Sequence, residues 1–195
     1  MAGFDILFWV LAGIVGIVVI VALALIFLYN AFVSLQKRVQ NAWAQIDVQL
    51  KRRADLIPNL IETVKGYARF EKSVLTQVTQ ARTSILQAKN PRESAKADNM
   101  LSSALKTIFA VAENYPQLRA NENFLKLQEE FSTTENKIAY ARQFYNDTVM
   151  EYNTAIAQFP GVIVAGMFGF SAPKEFFEIE EADKKLVKAD FSDMK

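Results

Sequence analysis

The chain contains no cysteine and no histidine. Without cysteine there can be no disulfide, no thiolate metal site and no cysteine nucleophile. Without histidine, Ser-His-Asp catalysis, HExxH zinc sites and an imidazole base at neutral pH are all excluded. An excess of one charge is missing too, since 22 Lys and Arg oppose 21 Asp and Glu for a net charge of +1. That total does not suggest a surface built to track phosphates. No glycine-rich loop is spaced to cradle a phosphate, and no interleaving of basic and aromatic residues points to nucleic acid. Acid pairs such as Glu129-Glu130 and Glu180-Glu181 are adjacent in the chain, so they do not converge on one helical face. The sequon Asn146-Asp147-Thr148 falls inside a helical pattern and is read as chance. The expectation is a protein without catalytic residues, metal or cofactor, and without a nucleic-acid partner.

What is present begins with an apolar run. Ile6 to Leu28 reads ILFWVLAGIVGIVVIVALALIFL, 23 residues without a charge. As a helix it extends about 34 Å, enough to cross a hydrocarbon core of about 30 Å with some tilt. A cleaved signal peptide would carry a basic n-region, a shorter apolar stretch and a small-residue cleavage site. Here Asp5 is the charge that precedes the run, and Tyr-Asn-Ala-Phe follows it. The reading is an uncleaved anchor over residues 1–29, with Trp9, Tyr29, Lys37 and Arg38 at the membrane interfaces. Lys37 and Arg38 follow the span and no Lys or Arg precedes it. This asymmetry predicts an outside N-terminus and residues 30–195 in the cytoplasm. Ala12 and Gly16 form a small-xxx-small pair, read either as a helix-packing site or as ordinary membrane-helix composition.

Beyond the anchor, apolar residues return at helical spacing: Phe32, Leu35, Val39, Trp43, Ile46, Leu50, Ile57, Leu60 and Val64. The pattern is a helix face, not strand alternation. With no breaker before Trp43, the membrane helix runs on into the first helix of the domain. Pro58 removes a backbone donor and predicts a kink or division near Asp55 and Leu56. Gly66 marks a weak point, and a second helix is expected over Glu71 to Lys89. Asn90, Pro91 and Glu93 match a cap, a first-turn proline and an acid for the next helix. That helix is interrupted at Tyr115-Pro116, and Asn121 is placed to cap the last long one. There Phe124, Leu127, Phe131, Thr134, Ile138, Ala141, Tyr145, Thr148, Tyr152, Ala155 and Phe159 alternate by three and four. Sustained alternation of this kind describes a coiled-coil-like seam. The expected fold is all-α: an anchor, then an antiparallel four-helix bundle over 30–158. Residues 159–195 form an apolar, glycine-rich segment and an acidic tail.

Two stretches resemble the signature of the LemA family of bacterial membrane proteins: DVQLKRRADLIPNLIETVKGYARFE (47–71) and NENFLKLQEEFSTTENKIAYARQFYNDTVMEYN (121–153). FP at 159–160, FGF at 168–170 and FFE at 176–178 extend the resemblance over nearly the whole chain. One departure is Phe70, where a polar residue is more usual. The resemblance implies a single-span inner-membrane protein with a cytoplasmic antiparallel helical bundle and no established catalytic activity. It also implies a link to membrane organisation, including magnetosome membranes.

Two groups of residues then stand out. Arg53, with Asp47, Glu135 and Arg142, places opposite charges on two apolar-faced helices and predicts a structural polar network that fixes register. The alternative for Arg52 and Arg53, an anionic-lipid patch, requires the helix to bend, because an unbent one carries Arg53 about 35 Å from the membrane surface. Val162, Ile163, Val164, Met167, Phe168 and Phe170 belong to FPGVIVAGMFGF, which is too short to span a bilayer and out of phase with the seam. This segment is expected either as an extended clip over the bundle end or as a contact surface for a neighbour or the membrane interface. Together these features predict a non-enzymatic, homo-oligomeric scaffold on the lipid bilayer. An alternative is an adaptor that presents substrates or signals to a membrane protein partner, such as a quality-control protease.

Overall fold

The computed structural model describes residues 2–66, 72–170 and 172–177, with side chains from Leu7 onward. Among these residues every regular element is a helix. Helix α1 runs unbroken from Ala2 to Asp55. Gly13 and Gly16 within it sit in open space. From Leu7 to Phe27 its large apolar side chains are exposed, apart from a half-buried Leu25. Beyond that point a buried stripe begins, with Phe32, Val39, Ala42, Ile46, Leu50, Arg53 and Ala54.

Pro58 divides the helix where its missing N–H and ring predict. Helix α1 stops at Asp55, Leu56 forms the turn, and α2 runs Ile57–Lys65 with Pro58 in its first turn. The Leu56 N–H bonds back to the Arg53 carbonyl at 3.3 Å, and the Leu60 N–H to that of Leu56 at 3.1 Å. Helix α3 (Lys72–Gln87) packs along α4 (Pro91–Ala112). Each buries one stripe: Val74, Val78, Ala81 and Ile85 on α3, and Ala97, Leu101, Leu105 and Ile108 on α4. The start of α4 is a reciprocal cap. Asn90 Oδ1 accepts from the Glu93 N–H at 2.8 Å, while Glu93 Oε2 accepts from the Lys89 N–H at 2.9 Å. A short α5 (Pro116–Arg119) follows. Asn121 Oδ1 then accepts from the N–H groups of Asn123 and Phe124 at 3.0 and 3.1 Å. This satisfies the orphan donors at the start of α6 (Glu122–Ala157).

The chain forms two compact units. One takes in Met1–Ala42 and Asn146–Lys174, the other Trp43–Tyr145 and Glu175–Lys195. In the second unit Trp43 faces Tyr145 with ring centroids 5.9 Å apart, and Arg52 reaches Glu130 at 2.9 Å. The end of α1 and the first half of α6 therefore run in opposite directions there.

In the first unit the seam of α6 ends earlier than its sequence period does. Thr148 and Tyr152 are buried in phase, but Phe159 is 81% exposed and Ile156 takes the inward place. The period carries on in the sequence, while the helix stops at Ala157. The next segment is helical, not extended as its reading as a clip supposed, and its reading as a contact surface is left open. Gly161–Phe168 forms helix α7, closed by Gly169 in the left-handed region at φ 79°. Glycine is the residue that adopts this conformation without strain, which makes it a stop signal. The expected tail from Glu178 to Lys195, and Phe70 and Glu71, lie outside the described residues.

Candidate functional site

The second unit holds a cluster of four charged side chains, three of them enclosed and Glu135 half exposed at the edge. Asp98, on the inward stripe of α4, has no exposed surface, and Arg53, near the end of α1, is 3% exposed. Arg53 Nη1 donates to Asp98 Oδ1 at 2.8 Å and lies 3.0 Å from Ser102 Oγ. Arg142 of α6 is ion-paired through Nη2 with the other Asp98 oxygen, and Arg53 Nη2 is ion-paired with Glu135. Two guanidiniums thus face two carboxylates, and the cluster carries no net charge.

Burial sets the proton affinities. It pulls the Arg53 guanidinium below its ordinary range, while the Glu135 carboxylate beside it works in the opposite direction. Burial also lowers Arg142 to about 10, with the nearby Arg53 charge adding to the effect. Both remain cations at neutral pH. The Nε groups of Arg53 and Arg142 are buried without an acceptor. On Arg142 the gap is partly filled by the face of Phe177, 4.8 Å from the guanidinium carbon, an arrangement that favours a cation. Phe177 is itself buried and lies 6.3 Å from the Trp43 ring. Close by, the Tyr145 hydroxyl donates to the Glu175 carbonyl at 2.8 Å, so Phe177 and Glu175 close one side of the unit.

The network includes Arg53, Glu135 and Arg142 but not Asp47. That side chain is paired at its own helix surface with Lys51, one turn on, at 2.6 Å. The geometry of a straight helix explains this, since Asp47 lies off the stripe that carries Ile46, Leu50 and Arg53 inward. Asp98 takes its place, and sequence reasoning missed it. A signal was present: Asp98 lies in phase with Ser94, Ala97, Leu101 and Leu105. An acid on that apolar stripe requires a buried cation. The anionic-lipid reading of Arg52 and Arg53 also gives way, because Arg53 is enclosed and Arg52 pairs with Glu130. A groove of about 540 Å³ lined by Asn59, Glu62, Asn121 and Lys126 lies elsewhere in this unit. Among the described residues no group of three metal-ligating side chains converges.

The second feature lies in the first unit. Val164, Ala165 and Phe170 point inward, whereas Val162, Ile163, Met167 and Phe168 are exposed. The Phe170 ring packs edge-on against Tyr29 at 5.6 Å and Phe32 at 5.7 Å, and its carbonyl accepts from the Tyr152 hydroxyl at 3.2 Å. The Asn153 side chain holds both backbone groups of Lys174, at 2.8 and 3.0 Å. Of the other interface residues, Trp9 and Tyr29 are exposed, Lys37 bonds Gln40 at 3.2 Å, and Arg38 pairs with Glu151 at 3.0 Å.

Comparison with known proteins matches residues 42–191 to the LemA family. Over 185 residues the chain is 24% identical to a protein named magnetosome protein MamQ from Magnetospirillum gryphiswaldense, covering 82% of this chain and 68% of the relative. Magnetosome protein MamQ 2 of Paramagnetospirillum magneticum is also 24% identical, over 201 residues, with 90% and 74% coverage. A protein named LemA from Metamycoplasma hominis is 28% identical over 134 residues, covering 67% of this chain and 60% of that one.

Proposed function

The chain belongs to the LemA family, and from that premise we propose that it is a non-enzymatic, single-pass membrane organiser that self-assembles through its helical domain. The observation that carries this reading is the two-part character of α1. Its first half exposes apolar side chains almost everywhere, and its second half is buried stripe by stripe. In water the exposed half is strongly unfavourable. In a bilayer it has the required length and leaves every backbone group bonded within the helix. Lys37 and Arg38 just past the span support an outside N-terminus and a cytoplasmic domain. Within that domain α1 with α2, then α3, α4 and α6, are read as an antiparallel four-helix bundle.

Several features favour organisation over catalysis. The buried charged groups, Asp98, Arg53 and Arg142, are spent on one another. Relatives named as magnetosome proteins support a part in a larger cellular structure. For self-association, α6 offers Tyr140, 75% exposed, with Phe144 one turn beyond it and also exposed. Exposed aromatic surface of this kind commonly marks an interface.

Light scattering on the detergent-solubilised full chain tests the assembly. A defined homo-oligomer is expected, and a monomer across the accessible concentration range would overturn the organiser reading. A reporter fused after Lys195 checks the topology. Activity confined to the outer side of the membrane reverses it.

A further inference from the structure

We propose that α7 is an interfacial helix: its outer face, Ile163 and Met167 with Val162 and Phe168, lies in the headgroup boundary of the same bilayer that α1 crosses. The proposal rests on the anchor reading of α1, and its test separates the two.

The argument starts from depth. Tyr29 directly follows the uncharged run that ends at Leu28. Any bilayer that holds that run in its core puts Tyr29 at the boundary, where tyrosine is favoured. The Phe168 ring centroid is 5.2 Å from that of Tyr29. The polar interfacial layer on each side of a bilayer is about 5–7 Å thick. Phe168 therefore cannot lie much deeper or shallower than this layer, whatever the tilt of α1.

The chemistry of the segment suits that depth. From Tyr152 to Pro173 there is no charged residue, a stretch of 22 positions, so nothing in α7 or its flanks must give up charge hydration. Helix α7 carries no polar side chain at all. Some of its end groups pair internally: the Val162 N–H bonds the Gln158 carbonyl at 2.8 Å, and the Phe170 N–H bonds that of Ala165 at 2.9 Å. The carbonyls of the last turn stay within reach of water in the headgroup layer, so the segment can enter that layer at little cost.

The inner face also fixes the helix against rolling away. Val164, Ala165 and Phe170 are buried, and the Phe170 ring is held by Tyr29 and Phe32. What remains outward is an apolar surface, with Met167 65% and Ile163 54% exposed one turn apart. Phe168, on that surface, adjoins Tyr29 at the end of the exposed apolar run of α1, so the occupant that covers one extends over the other. This continuity selects lipid over a second copy of the chain.

The absence of cysteine makes the test direct. Single variants I163C and M167C carry an environment-sensitive dye in full-length protein reconstituted into phosphatidylcholine–phosphatidylglycerol vesicles. V18C reports on the anchor, and S132C serves as an aqueous reference. Nitroxide lipids labelled near the headgroup should quench I163C and M167C several-fold more than S132C, while nitroxides deep in the chains quench V18C. Suppose α7 labels ignore both lipid quenchers and respond to aqueous iodide, with V18C still quenched. The interfacial helix is then wrong and the anchor stands. Labels shielded from lipid and iodide alike place a second copy on α7 and equally overturn the proposal. If shallow quenching persists at I163C and M167C but V18C is untouched, α7 binds lipid and the anchor reading fails. Far-UV circular dichroism of both α7 variants confirms unchanged helicity.

Discussion

Asp98, without any exposed surface, accepts a hydrogen bond from Arg53 Nη1 at 2.8 Å, 45 residues away in the chain. The pair joins the middle of α4 to the end of α1, and Arg142 of α6 occupies the other Asp98 oxygen. One carboxylate therefore fixes the relative register of three helices. A buried charge that loses its partner costs far more than the pair contributes.

Asp98→Asn is accordingly expected to destabilise the helical domain by about 3–5 kcal/mol, because two enclosed guanidiniums lose their shared counter-ion. Thermal unfolding in detergent, followed by circular dichroism, measures it. Replacing Asp98, Arg53 and Arg142 together by leucine should recover much of that loss, since the one charge left, Glu135, is half exposed and can be hydrated. Should Asp98→Asn melt like the parent protein, Asp98 would have no such role.

How much of this was legible beforehand depended on range. Contacts within one turn could be read directly: the Asn90–Glu93 cap and the division at Pro58 both follow from local geometry. The burial of Arg53 was suggested by its place on an apolar stripe, but its main partner lies on another helix. No periodicity states which carboxylate a buried cation will find. Phe159 shows the opposite failure, since a pattern can continue after its helix has ended. Helix α7 was hidden because Pro160, Gly161, Gly166 and Gly169 read as breakers. Two of them in fact mark its ends, Pro160 before the start and Gly169 after the stop.

Asn90→Ala removes the side-chain oxygen that satisfies the Glu93 N–H. The expected cost is about 1 kcal/mol, the usual value for losing such a cap. Asn90→Asp should keep the acceptor and lose less, although it places a second acid beside Glu93. A comparison of melting temperatures for the two variants checks the order, and an alanine variant as stable as the aspartate one would contradict it.

The tyrosine hydroxyls give a pH prediction. Burial raises the Tyr145 hydroxyl above the ordinary tyrosine value, with the neighbouring Glu175 carboxylate adding to it, and burial alone raises Tyr152. For an acid held neutral by the fold, the folded state keeps its proton where the unfolded state has lost it. The stabilisation is complete below a pH of about 10, the unfolded value, and is lost as pH rises through the higher folded value. Tyrosinate absorbance of the folded protein should thus show a late component that Tyr145→Phe and Tyr152→Phe each reduce. Unaltered titration curves in both variants would count against the assignment.

Gly161 and Gly166 both lie in α7, yet alanine should act on them with opposite signs. A Cβ on Gly161 would collide with the Ala155 carbonyl oxygen and come within 3.1 Å of Phe32 Cζ. Neither neighbour can retreat easily, because the carbonyl belongs to the α6 backbone and Phe32 is buried. The expected loss for Gly161→Ala is about 1–3 kcal/mol, typical of overpacking a close contact. At Gly166 a Cβ meets nothing within 4 Å. There alanine only removes backbone freedom from the unfolded chain, and a gain of about 0.5–1 kcal/mol is expected. Chemical denaturation of both variants in the same detergent measures the difference. Equal effects at the two positions would mean that α7 is not seated on α1 and α6 through the close approach at Gly161.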